Sequence, residues 1–323
     1  MSQVVKRLAH AALTLAFFAL VVWLLRNELR VLDPHEVVAA LSRLSTPHLA
    51  AALMLTAGAY AVVSCYDRLS SRYAGVRLGA AVGFSIPFVS YAFNFNIGAI
   101  VGALGFRYRL YSREGIDAKR ITAIAASSIA TNWCGCLAVL GGMLLVEPSA
   151  LVRTWDLSPA VGRALGSLAL APVAAYAIAA QIRRKPIQIR GSAYRLPEMR
   201  IALAQIGLGS AYWLLVPLVL YALRPPELSI SYSQIAVAYG LAALGGIIVR
   251  VPAGLGVIEA IFLELFRQHD GAAPILAMLF AWRAIFLLTP LGVAAIVLLV
   301  LESRGGHGRK VGPQVHRRKA MTH

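Results

Sequence analysis

The chain has 323 residues and is both strongly apolar and strongly basic. Hydrophobic residues make up 59% of it, charged residues make up 14%, and the formal net charge is +17. This composition excludes an ordinary soluble domain, in which about 45–50% of residues are apolar and about 25% are charged. The lysines and arginines lie in short loops and at both termini, which predicts contact with anionic lipid head groups and not with nucleic acid.

Apolar segments follow each other along the whole chain. They cover approximately residues 8–25, 48–66, 78–106, 121–146, 164–182, 201–223, 229–249, 251–266 and 272–301. The first resembles a signal peptide, but Trp23-Leu24-Leu25-Arg26 offers no small-residue cleavage site, so we predict a retained helix. The fold predicted is all-α: a polytopic membrane bundle of about eight transmembrane helices with an additional broken or re-entrant segment.

The segment 78–106 is too long for one crossing, because a straight helix of that length would extend about 43 Å. We predict a helical hairpin, broken around Pro87 or around the stretch from Asn94 to Gly98. If the short segment 251–266 crosses, one side of the membrane then receives both termini and most of the 31 lysines and arginines. The positive-inside rule assigns that side to the cytoplasm. It includes the loops at 67–77, 107–120, 183–200 and around Arg250.

The sequence predicts a single membrane domain over residues 1–302 and a basic, disordered cytoplasmic tail over 303–323. The tail would lie on the inner leaflet. The three cysteines have no partner pattern for a metal or redox site, so we expect packing roles, with no metal and no cofactor.

Two asparagines and two arginines form the first group of candidate site residues. Asn94 and Asn96 cannot share one helical face, so one could cap a broken helix while the other faces a cavity, or both could satisfy broken backbone. Arg107 and Arg109 could be interfacial anchors. Alternatively, they could bind phosphate, which suits the planar guanidinium.

The second group surrounds a predicted helix break. Pro252, Gly254 and Gly256 interrupt the apolar run after Arg250, and a new helix can begin near Gly256. Such an N-terminus favours an anion, and Glu259, about one turn inside it, complements the helix dipole. A simple helix cap explains the glycines equally well, but it leaves the glutamate in an apolar run unexplained.

The third candidate is Arg283, which lies deep in the last apolar segment. An arginine at that depth costs several kcal/mol unless it is paired or hydrated. An ion pair with Glu259 or Glu264 is one explanation, and direct contact with a polar substrate is the other. No sequence signature of an enzyme accompanies these residues: there is no nucleophile elbow, zinc-protease motif or Walker loop.

Three motifs resemble the lysylphosphatidylglycerol synthase/flippase transmembrane family. The run Arg250-Val-Pro-Ala-Gly-Leu-Gly-Val-Ile-Glu259 is similar to its second-half motif, and Trp282-Arg283 followed by Pro290 is similar to its final-helix pattern. The stretches 93–98 and 105–111 are similar to the signature of its YbhN-like branch. The resemblance implies a polytopic inner-membrane protein related to a lipid-translocating domain, without the soluble aminoacyl transferase domain. Ala99 stands where the commoner family form has a glutamate.

The leading hypothesis is a non-enzymatic lipid translocase or lipid-binding transporter for an anionic, phosphate-bearing lipid of the bacterial cytoplasmic membrane. Phospholipids or polyprenyl-phosphate lipids would be its partners. The arginines named above would attract phosphate, while Asn94, Asn96 and Glu259 would line or order the cavity. Two alternatives remain: a membrane-embedded lipid-modifying transferase with Glu259 as general base, and an accessory subunit of a soluble lipid-modifying enzyme. A homo-oligomer is also compatible with the sequence.

Overall fold

The computed structural model describes residues 42, 44–148, 157–182, 187–189, 192–194, 196–249 and 256–305. In chain order the α-helices are α1 (Thr46–Tyr73), α2 (Ala80–Ile97), α3 (Phe106–Arg113), α4 (Ala118–Val146), α5 (Pro159–Ile182), α6 (Met199–Ala222), α7 (Tyr232–Val249), α8 (Val257–Asp270), α9 (Ala272–Trp282) and α10 (Thr289–Gly305). Two π-helical segments occur, π1 (Ala99–Gly105) between α2 and α3 and π2 (Arg283–Leu288) between α9 and α10.

The described residues contain 6 helices long and apolar enough to span a membrane. They are Thr46–Tyr73, Ala80–Ile97, Ala118–Val146, Pro159–Ile182, Met199–Ala222 and the continuous run Ala272–Ser303. The predicted helical membrane bundle is therefore confirmed, while the predicted first helix at 8–25 lies outside the described residues. A short antiparallel ribbon, Ile187–Ile189 with Ser192–Tyr194, adds a small β element to the all-α fold.

The predicted hairpin in the segment 78–106 is confirmed, with its reversal at Gly98. Gly98 has φ +87°, a left-handed conformation that favours glycine, whereas α2 continues through Pro87. The returning arm packs directly on α2, since a Cβ at Gly102 would lie 2.4 Å from the Cα of Asn94. Phe93 and Phe106 stack across the two arms with ring centroids 4.3 Å apart. We call α2, π1 and α3 together the first hairpin.

Helices α7 and α8 form a second hairpin. A Cβ at Gly245 on α7 would lie 3.2 Å from Val257 and 3.4 Å from Ile261, so the two helices run antiparallel from their joined ends. Helix α8 has 14 residues, about 21 Å by helical rise, which is shorter than the hydrocarbon core of about 30 Å. Helix α8 is therefore too short to make alone the crossing that the sequence analysis expected of the segment 251–266.

The remaining helices pack closely around the hairpins. At the crossing of α4 and α6, a Cβ on Gly135 would lie 2.1 Å from the backbone carbon of Gly209, so the two backbones are nearly in contact. Small residues allow this approach in membrane bundles, where dispersion and not the hydrophobic effect holds helices together. Aromatic rings fill the centre, with Tyr60 contacting Phe88, Phe95 and Phe286.

The loops fall on two ends of the bundle, one of them rich in arginine. Asp67 near the end of α1 bonds to residues of α3 and α4, and Glu302 near the end of α10 bonds to α3, so these termini lie together. Helix α6 runs antiparallel to α1, since Tyr66 contacts Tyr212 while Gly58 faces Leu215. We call this end the basic end. Its exposed or half-exposed cations in the described chain include Arg68, Arg72, Arg77, Arg113, Lys119, Arg120 and Arg200.

The loop 107–120 and the helix ends that flank the loop 183–200 lie at the basic end, the side to which the charge count assigned both loops. Helix α5 runs antiparallel to α4, because Gly141 faces Gly166 and Gly162 faces Pro148, so its last residues return to that end. At the opposite end, Glu147 after α4 lies 3.5 Å from Ser231 before α7. Helix α10 continues to Gly305, three residues into the region assigned to the tail. Residues 306–323 lie outside the described part.

Candidate functional site

Arg283 in the last span and Glu259 on α8 form a largely buried ion pair. The guanidinium Nε donates to Glu259 Oε1 at 2.8 Å, and Nη2 lies 2.7 Å from the same oxygen. The side chain of Arg283 is 2% exposed and that of Glu259 is 16% exposed. Of the two carboxylates considered from sequence, Glu259 is the partner, whereas Glu264 is exposed.

Glu259 also closes the N-terminus of α8, which begins where the sequence predicted. Gly256 is the N-cap residue with φ +76°, and its backbone N–H donates to Glu259 Oε2 at 3.0 Å. One carboxylate oxygen therefore caps the helix while the other pairs with Arg283. Since a helix N-terminus carries partial positive charge, two positive groups converge on this carboxylate. Arg250, Pro252 and Gly254, named with them, lie outside the described residues.

Arg283 opens the π2 segment, whose carbonyl groups accept side-chain hydrogen bonds. The Tyr60 hydroxyl donates to the carbonyl of Phe286 at 3.2 Å, and Asn96 Nδ2 donates to that of Leu287 at 3.3 Å. A π segment breaks the regular helical hydrogen-bond ladder and is frequent at functional sites. Here it binds the tip of the first hairpin.

The structure gives the two asparagines different roles. Asn96 is buried and also donates to the carbonyl of Ala92 at 2.7 Å, while its Oδ1 has no hydrogen-bond partner among the described residues. Asn94 is half-buried, and its backbone carbonyl accepts from the N–H of Gly98 at 2.9 Å. Asn94 thus takes part in the reversal through its backbone, and Asn96 fastens the tip to the last span.

The tip of the first hairpin and the first turn of α8 meet the last span at positions one helical turn apart. The first hairpin contacts Leu287 through Asn96, and the second contacts Arg283 through Glu259. Arg283 lies about 17 Å by helical rise from the start of α9, and Leu287 lies about 22 Å from Glu302, so the meeting point is near mid-membrane. The first hairpin opens toward the basic end and the second toward the opposite end. The tips therefore approach from opposite sides.

Three buried polar atoms, on Asn96 and on the residues around the start of π2, have no hydrogen-bond partner among the described residues. Besides Asn96 Oδ1, they are Nε1 of Trp282 and Nη2 of Arg283, whose contact with Glu259 is close but poorly aligned. Trp282 stacks on Phe286 with centroids 5.4 Å apart. Buried polar atoms are normally satisfied, so each of these atoms retains hydrogen-bonding capacity for water or a polar group.

Arg107 and Arg109 lie elsewhere and already have acidic partners. Arg107 is 1% exposed and donates through Nη2 to Asp67 Oδ1 at 2.6 Å. Its guanidinium also lies 4.7 Å from the Tyr91 ring centroid. Arg109 donates through Nε to Glu302 at 2.8 Å, and Arg113 pairs with the same carboxylate. These pairs tie α3 to α1 and α10, so the structure separates both arginines from the mid-membrane pair.

Asp67 is the site residue that sequence reasoning missed. Its carboxylate accepts from Arg107, from the Tyr111 hydroxyl at 2.7 Å and from Ser128 at 2.6 Å. It is 0% exposed. The sequence feature that could have identified Asp67 is its position directly after an apolar segment. An ionisable residue in such a place usually has a buried partner. Because its carboxylate accepts from three donors on α3 and α4, we infer that Asp67 fixes the first hairpin against the bundle.

A family model described as the lysylphosphatidylglycerol synthase TM region matches residues 11–294. The chain belongs to this family. It is 33% identical over 300 residues to the Inner membrane protein YbhN of Escherichia coli, covering 92% of this chain and 94% of that protein. It is 30% identical over 303 residues to the Uncharacterized protein slr0712 of Synechocystis sp., covering 93% and 94% respectively. The family and the apolar helices together identify a multi-pass bacterial inner-membrane protein with a lipid-related function.

Proposed function

We propose that the protein moves an anionic, phosphate-bearing lipid between the leaflets of the inner membrane, and that it does so without chemical modification. The observation that carries the proposal is that two oppositely directed hairpins contact the last span one helical turn apart, the first at Leu287 and the second at Arg283. Broken helices that meet near the bilayer midplane form the substrate sites of many transporters. Phospholipids and polyprenyl-phosphate lipids both supply the required phosphate.

In this mechanism the Glu259 carboxylate occupies an anion site that a lipid phosphate can take over. Arg283 and the N-terminus of α8 both face the carboxylate, and both favour an oxyanion. A phosphate would exchange with Oε1, while Oε2 retains its bond to Gly256. The polar atoms of Asn96 and Trp282 that lack protein partners would then contact the head group.

The opposed hairpins would give this site access from either side. The basic end would face the cytoplasm, with both termini there, because it carries the greater number of arginines and lysines. Movement of the first hairpin would open the site toward that leaflet, and movement of the second would open it toward the other. The acyl chains would remain in the bilayer beside the apolar helix surfaces.

Binding of phosphatidylglycerol to the purified protein in neutral detergent tests the site. Arg283→Gln should weaken binding by about tenfold or more, the value of one charge-assisted contact of about 1.5–3 kcal/mol. Glu259→Gln should strengthen it, because the competing carboxylate charge is removed while the amide oxygen can still cap α8. Arg163→Gln, at an exposed position on α5, is the matched control and should have no effect.

Transbilayer movement in liposomes then distinguishes the alternatives. Faster movement of unmodified lipid, abolished by Arg283→Gln in a folded protein, is expected for a translocase. A lipid-modifying transferase would instead yield an altered lipid, and an accessory subunit would move nothing without its soluble enzyme. Equal losses from Arg163→Gln and Arg283→Gln would contradict a defined site.

A further inference from the structure

A second site is formed at the basic end of the bundle, where α1 turns into α2. A cavity of about 730 Å³ lies there, lined by Arg68, Ser71, Arg72, Gly75, Val76, Arg77, Leu78 and Gly83. It is built entirely from the end of α1, the turn and the start of α2. It does not include the mid-membrane pair.

The turn that shapes this cavity is fixed by its backbone. Gly75 has φ +74°, its N–H donates to the carbonyl of Arg72 at 3.0 Å, and the N–H of Val76 donates to that of Ser71 at 2.9 Å. This pair of bonds is a Schellman motif, which ends a helix at a left-handed glycine. The motif places Arg77 beside the last turns of α1. Because its bonds join backbone atoms only, the side chain of Arg77 takes no part in them.

Three arginines share the cavity, and none of them forms an ion pair with a described residue. The carboxylate nearest in sequence, Asp67, is occupied by Arg107, Tyr111 and Ser128. Arg68 and Arg72 are four residues apart on one helix, a spacing at which like charges repel. An anion bound between Arg68 and Arg72 would relieve that repulsion. It would accept hydrogen bonds from guanidinium groups that have no carboxylate partner among the described residues.

The surface next to the cavity favours a lipid over a free anion. The Arg68 guanidinium lies 5.3 Å from the ring centroid of Phe84, and Phe84 is 38% exposed on the membrane helix α2. A ligand here would thus meet cations on one side and an exposed apolar surface on the other. A lipid head group with its acyl chains satisfies both, whereas inorganic phosphate satisfies only the first.

We infer that this cavity binds the phosphate of an anionic lipid from the leaflet at the basic end, through Arg68, Arg72 and Arg77. This goes beyond the proposed translocation, because the site lies at the membrane interface and binds lipid whether or not lipid is moved. It would hold anionic lipid beside the opening of the first hairpin.

Native mass spectrometry of the full chain in neutral detergent tests the inference, with phosphatidylglycerol as the probe and phosphatidylcholine as the uncharged-headgroup comparison. The triple variant Arg68→Gln, Arg72→Gln, Arg77→Gln should lose at least about tenfold in affinity for phosphatidylglycerol, since charge-assisted bonds to phosphate are lost. The control is a second triple variant, Arg163→Gln, Arg200→Gln, Arg267→Gln. It removes the same three charges from exposed positions outside the cavity and should retain the affinity for phosphatidylglycerol.

A second variant covers the case in which the triple variant does not fold. Gly83→Leu keeps all three arginines, and a Cβ there meets only Leu78 at 3.6 Å and Arg68 at 3.9 Å, so the longer side chain should narrow the cavity and reduce binding. Equal losses in the control variant, retained binding in Gly83→Leu, or displacement of the lipid by millimolar inorganic phosphate would each overturn the inference. In the same spectra, which count bound lipids, Arg283→Gln should retain the lipid bound at this cavity and lose the one bound at the Arg283–Glu259 pair, so the two tests have separate readouts.

Discussion

Removal of either partner of the Arg283–Glu259 pair should strongly destabilise the protein. Both side chains are nearly buried, at 2% and 16% exposed. Loss of one partner leaves an uncompensated charge, which typically costs about 3–5 kcal/mol. Arg283→Leu and Glu259→Leu should therefore each reduce the free energy of unfolding by about that amount. Glu259→Leu should reduce the free energy of unfolding by about a further 1 kcal/mol, because the hydrogen bond that the N–H of Gly256 donates to Oε2 is also lost.

The double variant tests whether the two residues act as a pair. With both charges removed, no lone charge remains, so the loss should be smaller than the sum of the single losses by about 2 kcal/mol or more. Equilibrium unfolding in mixed detergent micelles, followed by circular dichroism, measures all the free energies on one scale. Glu259→Gln separates the two functions of the carboxylate, because the amide can cap α8 but carries no charge.

Glu264→Leu is the matched control on the same helix. Glu264 is exposed and forms no ion pair with a described residue, so its replacement should change stability by less than about 0.5 kcal/mol. Strict additivity of the losses from Arg283→Leu and Glu259→Leu would refute the reasoning. It would mean that the contact contributes nothing and that each residue is stabilised by other groups.

Three further predictions concern the first hairpin and the topology. Asp67→Leu should reduce the free energy of unfolding by about 3–5 kcal/mol, because it leaves Arg107 buried and unpaired. Adding Arg107→Leu should recover part of that loss. Arg120→Ala is the control: it removes an exposed pair with Asp117 and should cost less than about 1 kcal/mol in the same unfolding assay. Gly102→Ala should lose about 1–3 kcal/mol because its Cβ would overlap Asn94, whereas Gly142→Ala, with open space around it, should be neutral. In a background without Cys65, Cys134 and Cys136, cysteines at exposed Ser112 and Glu198 should resist an impermeant thiol reagent in intact cells, and one at Glu227 should react. Labelling of Ser112→Cys from outside would reverse the assignment of the basic end to the cytoplasm.

Much of the fold could be predicted because membrane insertion imposes strong rules on the sequence. The length of the segment 78–106 and the positive-inside rule together required a reversal, and the glycine at position 98 supplies it. The start of α8 at Gly256 followed from the glycines that interrupt an apolar run. The Arg283–Glu259 pair followed from the cost of a lone charge at that depth.

The partners of the other arginines could not be predicted in the same way. The sequence predicts interfacial anchoring or phosphate binding for Arg107 and Arg109, whereas their partners Asp67 and Glu302 lie 40 and 193 residues away along the chain. Tertiary packing alone brings such residues together, and no local pattern marks it. The π2 segment could not be predicted either, because its side chains fit a regular helix equally well. Only the hydrogen bonds from Tyr60 and Asn96 show that its carbonyl groups are free to accept side-chain donors.

In the proposed translocation, the position of the ion pair at a helix start would let one carboxylate serve both stability and transport. A salt bridge between two regular helices would have to be broken at full cost before an anion could bind. Glu259 instead bonds with one oxygen to Gly256 and with the other to Arg283, so a phosphate can replace only the second bond. The positive end of α8 continues to stabilise the displaced carboxylate. A phosphate at Arg283 would add negative charge beside Glu259, and the positive end of α8 would offset part of it, so binding would cost less than it would beside a carboxylate without a helix start.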